Sequence, residues 1–404
     1  MAVQIGTNAQ NAAASPAVPL YHLSSQFRHW RYSKEQLEQI RKELNEQAVE
    51  RVRKSWEEER ASREAAPSAT KAADGSTPST SSAPPSQPAT PPEPSEIEYL
   101  TVADEQALVG YYLTQAVALC GALKFPEMVL ATAITYLKRF YLRNTCMDYH
   151  PKNIMLTCVF LATKTENFPT SIDTFAARVK TPPADILSLE FLVSQSLHFE
   201  YKVHHAHLAL SGLVLDLQTA GCDASSIASA LPRAQAFCRT SRLTPAELVY
   251  TPSQIALACL RLADPSLVDT WLSDKELRRE KAEDDRKEKQ VKAGGNVDGD
   301  GKRPQTDGRK PDAPEAKAMQ REQLLKVLDE VQAMIQETQR NPVDKEKVKD
   351  IDRRLRWARN PEKDPNSALY KKRKAQEEAE REEKDRAKAA KRDKAAQDDA
   401  SVFD

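Results

Sequence analysis

The chain has 404 residues, of which 29% are charged, and its 59 Lys and Arg residues equal its 59 Asp and Glu residues. With zero net charge, the chain as a whole does not attract nucleic acid or an anionic membrane electrostatically. Its eleven glycines are few for an α/β enzyme, whose phosphate-binding loops need residues with positive φ. Six scattered cysteines without a CxxC pair indicate reduced thiols in an intracellular compartment, and no run is expected to span a bilayer.

Two stretches of the N-terminal quarter lack the apolar residues that a packed core needs. Residues 1–20 are rich in Ala and Asn, and residues 66–95 form a Pro/Ser/Thr/Ala linker. Such compositions predict disorder. The intervening residues 21–65 are the exception, because they contain a helical pattern.

This N-terminal helix is predicted to begin at Ser33, whose capping box is completed by Gln36. Apolar residues then recur on one face at helical spacing, so the helix needs a host surface. They are Leu37, Ile40 and Leu44.

Five helical segments are predicted between residues 96 and 200. The third has a proline at its first position and is apolar on nearly every face from Ile154 to Ala162, which is typical of a helix surrounded by other helices. The predicted bounds are Thr101–Leu119 (with a capping box of Thr101 and Asp104), Pro126–Leu142, Pro151–Thr163, Ser171–Val179 and Pro183–Leu197.

Residues 201–341 repeat this pattern more faintly. A charged insert at about 276–317 is expected to loop out of the repeat, because loop-closure entropy grows only logarithmically with length. The predicted helices are His205–Gln218, Ser226–Arg239, Pro252–Ala263, Ser266–Leu277 and a fifth marked by Leu324, Leu328, Val331 and Ile335.

The C-terminal part is predicted to hold one short helix within residues 342–360, marked by Val348, Ile351 and Leu355. Residues 361–404 form a mixed-charge tail that is either disordered or a fraying helix. No convincing period-two strand interrupts these patterns. The predicted fold is therefore all-α, with two consecutive five-helix repeats and extra N- and C-terminal helices.

Two five-helix units, the first with a central helix ending in Ala-x-Lys-x-Glu, resemble the cyclin fold. The segment YLKRFY at 136–141 is similar to one shared by cyclins of the transcription kinases. Other segments resemble the cyclin H members of that family. They are YHLSSQFRHW at 21–30, YHP at 149–151, IMLTC at 154–158, YTPSQIAL at 250–257 and the basic run KKRK at 371–374.

The resemblance implies a regulatory subunit of the CDK-activating kinase, which is also the kinase module of TFIIH. It implies three partners: a cyclin-dependent kinase catalytic subunit, a third assembly subunit and the TFIIH core. The chain would have no catalytic residue, no cofactor and no metal of its own, and it would act in the nucleus, for which the basic run at 371–374 is a candidate import signal.

The resemblance also carries two kinase-binding residues onto this chain. They are Lys164, at the end of the central helix, and Glu190, in the fifth helix. Many cyclins have two acidic residues after that lysine, whereas this chain has Glu166 followed by Asn167, so Glu166 is a weaker candidate for an acidic contact. The Met-Arg-Ala-Ile-Leu docking motif of cell-cycle cyclins is absent from the first helix of the first repeat.

The stripe of the N-terminal helix (Leu37, Ile40 and Leu44) is a possible docking surface with two alternatives. In the resembling family, N- and C-terminal helices lie together against the first repeat and assist kinase activation. The stripe is therefore predicted to pack either on the repeats of its own chain or on the kinase.

Other patterns point to weaker sites or rival functions. The cluster of His204, His205 and His207 lacks a further ligand at metal-binding spacing, so it is interpreted as structural or exposed. The loop at 298–309 has lysine at its fifth position and arginine at its twelfth, which excludes a calcium loop of the EF-hand type. Two alternatives remain: another transcriptional cyclin, or a cyclin-fold basal factor that binds promoter DNA, although no basic face or zinc ribbon favours DNA binding.

Overall fold

The computed structural model describes residues 20–64, 96–293 and 314–400, and these ranges contain helices without any β-strand. The predicted all-α class is confirmed. In chain order the α-helices are α1 (Ser25–His29), α2 (Lys34–Glu64), α3 (Val102–Leu123), α4 (Glu127–Phe140), α5 (Pro151–Thr165), α6 (Ile172–Val179), α7 (Pro183–Leu187), α8 (Glu190–Ser196), α9 (Ala206–Thr219), α10 (Ala224–Ser241), α11 (Pro252–Ala263), α12 (Pro265–Ala293), α13 (Pro314–Arg340), α14 (Lys345–Ala358) and α15 (Ala368–Ala400).

The helices are divided between two compact units, each built from separate stretches of chain. The first-repeat unit comprises Lys34–Phe199 and the chain from Asn341 onward, and the second-repeat unit comprises Glu200–Arg340 and the chain up to Ser33. Helices α3 to α8 form the first five-helix repeat, in which α7 and α8 together take the fifth place. Helices α9 to α13 form the second repeat.

The centre of the first repeat is α5, which contacts α3, α4, α7 and α8. Every residue from Ile154 to Thr163 is buried, as expected for a helix that is apolar on nearly all faces. Thr157, a polar residue of this core, donates its hydroxyl to the carbonyl of Asn153 and to that of Ile186 on α7, both at 3.2 Å. The core therefore meets the rule that buried polar groups are hydrogen-bonded.

The predicted single helix Pro183–Leu197 is wrong in one respect, since the chain breaks it at Ser188–Leu189. The hydroxyl of Ser188 donates to the carbonyl of Asp185 at 3.2 Å. A serine that bonds backbone carbonyls in this way competes with the regular helical ladder and bends it. The break begins a new helix, α8, at Glu190.

The second repeat surrounds α11, which contacts α9, α10, α12 and α13. A capping box fixes its start: the hydroxyl of Thr251 accepts the N–H of Gln254 at 3.3 Å, and the Gln254 side chain accepts the N–H of Thr251 at 2.9 Å. Its observed bounds, Pro252–Ala263, match the sequence prediction. The core around α11 is aliphatic, with Ile255, Leu257 and Leu260 buried.

Much of the predicted insert at 276–317 is helical. Helix α12 continues past the predicted end at Leu277 to Ala293, and α13 begins at Pro314. The continuation has little apolar surface but many strong helix formers, Glu, Lys and Arg, and Arg278 pairs with Asp274 one turn earlier at 2.6 Å. Residues 294–313 lie outside the described part of the chain.

The terminal helices pack together in the first-repeat unit. The carboxylate of Glu59 on α2 has no exposed surface and accepts the backbone N–H groups of Ala368 and Leu369 at 3.1 and 2.6 Å. It therefore satisfies donors at the N-terminus of α15, where negative charge is favourable. The indole N–H of Trp56 donates to the carbonyl of Trp357 at 2.8 Å, which ties α2 to α14 as well.

Carboxylates of the first repeat hold these terminal helices. Asp104 closes the predicted capping box with Thr101 and pairs with Arg354 of α14 at 3.0 Å, both side chains being nearly buried. Hydrogen bonds from Thr101 and Arg354 outweigh the effect of burial, so the pKa of Asp104 is lowered. Next to it, burial raises the pKa of Glu105 to about 7, although Asn45 of α2 donates a hydrogen bond to it at 3.1 Å.

The expectation that no segment could span a bilayer needs a correction. Helix α3 is long and apolar enough to do so by length and composition alone, because no charged residue occurs between Glu105 and Lys124. One such helix is weak support for a membrane span. Its Leu108, Tyr112 and Ala116 are buried in the first repeat, where α3 contacts α4 and α5.

Several sequence predictions concern residues that the structure does not describe. The predicted disorder of residues 1–19, the linker at 66–95 and the rejected calcium loop at 298–309 lie outside the described ranges. Of the predicted charged tail, residues 368–400 form α15, so the helical alternative applies there.

Candidate functional site

The site begins with the way α5 ends. Asn167 adopts the left-handed conformation, with φ of 54°, and the N–H of Phe168 donates to the carbonyl of Thr163 at 2.9 Å. This six-to-one hydrogen bond is a Schellman motif, which terminates a helix and often uses Gly or Asn at the left-handed position. Asn167, the residue that departs from the acidic pair of many cyclins, is therefore suited to this turn.

Lys164 lies in the last turn of α5, and its side chain is 43% exposed. Its Nζ donates to Oε1 of Glu190 on α8 at 2.6 Å and lies 4.5 Å from the ring centroid of Phe160. The structure thus brings together two candidate residues that are 26 positions apart in sequence. An exposed pair of this kind contributes only about 0–1 kcal/mol to folding.

Glu166 has a different environment from Lys164. Its Oε1 accepts the hydroxyl of Thr132 on α4 at 2.5 Å, and the hydroxyl groups of Tyr136 and Thr165 are 3.0 Å apart beside it. These contacts fasten the last turn of α5 to α4. Glu166 therefore fixes the position of the helix end that presents Lys164.

Exposed apolar side chains accompany the Lys164–Glu190 pair. Phe191 is 68% exposed and Phe199 is 54% exposed, with ring centroids 6.1 Å apart, and Leu187 precedes them at the end of α7. Another Schellman bond, from the N–H of Phe199 to the carbonyl of Ser194 at 2.9 Å, terminates α8. We call Lys164, Glu190, Leu187, Phe191 and Phe199 the α5–α8 surface.

Sequence reasoning did not identify Phe191 and Phe199. A signal for Phe191 was present in the sequence, since Ile186, Leu189, Val193 and Leu197 recur at helical spacing on one face of the predicted helix Pro183–Leu197 and leave Phe191 on another face. Phe199 had no such signal. Its exposure depends on two consecutive residues with positive φ, His198 at 54° and Phe199 at 57°, a conformation that is rare for residues other than glycine.

The second repeat contains a similar ion pair in a different setting. Arg261 of α11 donates to Asp329 of α13 at 2.6 Å, so that the central helix is again paired with the fifth helix. Among the described residues of α11 and α13, however, no large apolar side chain is exposed. The combination of an ion pair with exposed aromatic rings therefore distinguishes the α5–α8 surface.

The stripe of the N-terminal helix lies at least partly inside the chain. Leu37 is buried, and Ile40 and Leu44 are half-buried. Farther along α2, Arg51 pairs with Asp148 of the first repeat at 2.5 Å. These contacts favour packing on the repeats, the intramolecular alternative, over a stripe that is open to a partner.

The histidine cluster is part of the second-repeat unit. Gln26 donates to the carbonyl of His204 at 3.1 Å and accepts its N–H at 2.6 Å, and the rings of His205 and His207 stack at 5.3 Å. Nδ1 of His207 lies 3.0 Å from a guanidinium nitrogen of Arg242. The described residues include no group of three or more side chains that could hold a metal ion.

Comparison with family models gives two adjoining matches. Residues 110–202 match the model described as "Cyclin, N-terminal domain", and residues 205–336 match the model described as "Cyclin C-terminal domain". Together the matches cover both five-helix repeats.

Curated relatives carry cyclin names. The chain is 31% identical over 264 residues to cyclin CCL1 of Saccharomyces cerevisiae, covering 65% of this chain and 62% of that one. It is 35% identical over 176 residues to the putative cyclin-H of Dictyostelium discoideum, covering 42% and 62%, and 30% identical over 283 residues to cyclin mcs2 of Schizosaccharomyces pombe, covering 69% and 74%. The match therefore spans slightly less than two thirds of the first two relatives.

Two solved structures share the fold. One is a chain of the CAK complex of Chaetomium thermophilum bound to ATP-γ-S, with a TM-score of 0.63, 24% identity, and coverage of 89% of this chain and 94% of that one. The other is a chain of the yeast TFIIK (Kin28/Ccl1/Tfb3) complex, with a TM-score of 0.51, 24% identity, and coverage of 78% and 100%.

Proposed function

Because the chain belongs to the cyclin family, we propose that it is the regulatory subunit of a cyclin-dependent protein kinase, of the cyclin H type. The names of its relatives support this assignment, as do the CAK and TFIIK complexes in which the similar folds occur. The subunit would contribute no catalytic group of its own. It would bind the kinase and change its conformational equilibrium.

The observation that carries the proposal is the α5–α8 surface. Lys164 and Glu190 offer N–H donors and a carboxylate acceptor to backbone groups of a partner. Breaking their mutual ion pair for this purpose costs little free energy, because an exposed pair contributes only about 0–1 kcal/mol. Phe191 and Phe199 supply apolar area beside these polar groups. Aromatic anchors next to polar groups are typical of the residues that dominate binding energy.

Activation follows from binding one kinase conformation better than another. A protein kinase is active when the glutamate of its αC helix pairs with the lysine that holds ATP, and a ligand that prefers this state shifts the equilibrium toward it. A shift from 1:99 to 99:1 needs about 5.5 kcal/mol of differential binding. The aromatic anchors, at about 2 kcal/mol or more each, contribute to this difference to the extent that they contact the active conformation and not the inactive one.

The proposed complex includes further partners. A third assembly subunit and the TFIIH core would join the kinase and this chain, in agreement with the three-subunit composition of TFIIK. The complex would phosphorylate the activation segments of other cyclin-dependent kinases and the C-terminal domain of RNA polymerase II. It would act in the nucleus, and the basic run at 371–374, which is exposed at the start of α15, would serve as the import signal.

A charge swap tests this proposal. In the variant Lys164→Glu with Glu190→Lys the two side chains can still pair with each other, so the fold is retained while the charges offered to a kinase are reversed. We expect at least about a hundredfold weaker kinase binding, since two charge contacts would turn repulsive. The matched control is Arg261→Asp with Asp329→Arg, which swaps the similar pair of the second repeat and should leave binding within about twofold.

The measurement uses the chain co-expressed with its cyclin-dependent kinase and assembly subunit. Binding is measured by affinity capture, and activity is measured on an activation-segment peptide and on a polymerase-tail peptide. A fully active α5–α8 swap would refute the role of this surface. Activity on the tail peptide alone would favour a transcriptional cyclin of a different type.

A further inference from the structure

The last helix, α15, is packed against the first-repeat unit only near its start. Leu369 is buried, and the backbone N–H groups of Ala368 and Leu369 donate to Glu59 of α2. Every residue from Lys371 to Lys391 is exposed. This exposed stretch rises about 30 Å along the helix axis, so a long piece of helix is accessible to a partner.

The exposed stretch is helical without a core to pack on. Apart from Asp385 it consists of strong helix formers, namely Ala, Glu, Lys, Arg and Gln. Glu380 pairs with Lys384 at 3.7 Å, and Glu382 pairs with Arg386 at 3.8 Å. An acidic residue four positions before a basic one is the favourable orientation for such pairs. The stretch therefore holds its charged residues at fixed angles around one axis.

Four cations line one face of this helix at intervals of three, four and three residues. They are Arg381, Lys384, Lys388 and Lys391, and we call them the α15 stripe. The spacing places them within an arc of about 80° around the axis and over about 15 Å of its length. Glu382, Glu383 and Asp385 of the same segment lie outside this arc. Positive charge is therefore concentrated on one face.

Most of the α15 stripe has no counter-charge. Lys384 has its pair with Glu380, whereas Arg381, Lys388 and Lys391 form no ion pair with any residue in the described part of the chain. Charges more than about 8 Å apart are largely screened at physiological salt, so the zero net charge of the whole chain does not cancel this local positive potential. The α15 stripe is therefore complementary to a row of negative charges.

The composition of the exposed stretch favours the phosphates of a duplex over other anionic partners. Between Lys371 and Lys391 no apolar residue is larger than alanine, and none is aromatic. A protein interface obtains most of its binding energy from larger anchors, and a helix on an anionic membrane inserts an apolar face. Single-stranded nucleic acid is bound largely by stacking of its bases on aromatic rings. A duplex, by contrast, can be bound through its phosphates alone.

Duplex DNA fits this face better than duplex RNA. Recognition of duplex RNA uses contacts to 2′-hydroxyl groups across two successive minor grooves, over about 16 base pairs. The α15 stripe is much shorter, about 15 Å, and consists of cations that only donate hydrogen bonds. Duplex DNA has one phosphate charge for about every 1.7 Å of its axis, so a stripe of this length faces enough phosphates for all four cations.

We propose that α15 binds duplex DNA through the α15 stripe, by contacts to phosphates and without reading the base sequence. The helix lies against the DNA backbone with the stripe toward the phosphates and with Glu382 and Glu383 turned away from them. The stripe belongs to neither repeat. This binding is therefore additional to the proposed kinase role and does not depend on it.

Fluorescence anisotropy with the full chain and a labelled DNA duplex two helical turns long tests the proposal. The logarithm of the affinity should fall with the logarithm of the salt concentration, and the four contacts should contribute about −3.6 to the slope, or −0.9 for each phosphate. The neutralised variant, Lys388→Gln with Lys391→Gln, should bind at least about tenfold more weakly at 0.1 M salt. Its slope should be less steep by about 1.8.

A second variant moves the same two charges without removing them. Lys388→Ala with Ala389→Lys, together with Ala390→Lys and Lys391→Ala, keeps the composition and the net charge but turns two cations by about 100° around the axis. We expect this moved-charge variant to lose as much affinity as the neutralised variant, within about threefold. Circular dichroism checks that both variants keep their helix content, as expected for Lys, Ala and Gln.

Several results would overturn the proposal. Undiminished DNA binding by the moved-charge variant would mean that net charge and not the stripe is responsible, and undiminished binding by both variants would assign the binding to another part of the chain. Tighter binding to an RNA duplex of equal length, or to polyglutamate, would assign the stripe to a different partner. None of these measurements involves the kinase, so they are independent of the proposed function.

Discussion

The central helices of the two repeats, α5 and α11, begin alike and end differently. Each has a proline at its first position, Pro151 or Pro252, after a residue whose side chain caps the helix. Helix α5 stops at a left-handed residue, Asn167, and exposes Lys164 in its last turn. Helix α11 instead leads directly into α12, because Asp264 accepts the N–H of Ser266 at 3.0 Å and caps the next helix.

This difference separates a role in binding from a role in folding. Both repeats pair a cation of the central helix with a carboxylate of the fifth helix. Only in the first repeat, within the described residues, is the pair accompanied by exposed aromatic rings and an abruptly ended helix. The ion pair alone is therefore a poor indicator of a binding surface, whereas its apolar surroundings are informative.

The largest expected effect concerns the aromatic residues. Phe199→Asp should weaken kinase binding by about a hundredfold, because a charge would have to be buried where an aromatic anchor was. Leu215→Asp changes a similarly exposed apolar residue of the second repeat and should alter kinase binding by less than about twofold. Affinity capture of the kinase by both variants measures the ratio, and equal losses would erase the distinction between the repeats.

The next effect is a pH dependence confined to the first repeat. Glu105 titrates near pH 7 because burial and the neighbouring Asp148 raise its pKa above the value of 4.5 expected when unfolded, although Asn45 lowers it. The folded chain then binds more protons between pH 4.5 and 7, so the free energy of unfolding should fall as pH rises through this window, by about 3 kcal/mol in total.

Urea unfolding at pH 5 and pH 8 measures this effect, and Glu105→Gln should remove most of the difference. The second repeat supplies the contrast, since hydrogen bonds lower the pKa values of Asp216 and Asp264 there. A carboxyl group whose pKa is lowered on folding stabilises the folded chain, and this contribution is lost only at more acid pH. An unchanged pH dependence in Glu105→Gln would contradict the assignment.

A smaller effect tests the two helix ends. Asn167→Ala should lower the free energy of unfolding by about 1 kcal/mol, because alanine is disfavoured at positive φ, whereas Asn167→Gly should not. Asp264→Ala should cost a similar amount through loss of a cap, whereas Asp264→Asn should retain it. Thermal unfolding of the four variants distinguishes the causes, and tolerance of Asn167→Ala would argue against the left-handed end of α5.

The smallest effect concerns the ion pairs themselves. Lys164→Met and Arg261→Met should each change the free energy of unfolding by less than about 1 kcal/mol, because both pairs are partly exposed. Only Lys164→Met should weaken kinase binding. A large loss of stability in Lys164→Met would mean that this residue serves the fold rather than a partner.

Local patterns were sufficient to predict much of the fold. The capping box at Thr101 and Asp104 and the starts of α5 and α11 at Pro151 and Pro252 are set by neighbouring residues, so the sequence contains the necessary information. The break at Ser188 was not predicted. It is accompanied by a hydrogen bond from the Ser188 hydroxyl to a nearby carbonyl, and the spacing of apolar residues contains no information about such a bond.

The candidate site was less accessible from the sequence. Lys164 and Glu190 were selected through the resemblance to cyclins, and their 2.6 Å contact joins residues on two separate helices. The exposure of Phe199 depends on two successive positive φ angles, which helical periodicity does not predict for residues other than glycine. The hydrogen bond from Thr132 to Glu166 could likewise not be predicted without knowing where α4 lies relative to the end of α5.

The buried carboxylate of Glu59 has a consequence for the order of assembly during synthesis. Its partners, the N–H groups of Ala368 and Leu369, follow it by about 310 residues, and the entire stretch 200–340 of the second-repeat unit is made between them. Until residue 369 has been synthesised, this carboxylate lacks the two backbone donors that it has in the folded chain, so burying it would be unfavourable. Helix α2 thus completes its packing only after a segment about 310 residues later in the chain has been synthesised.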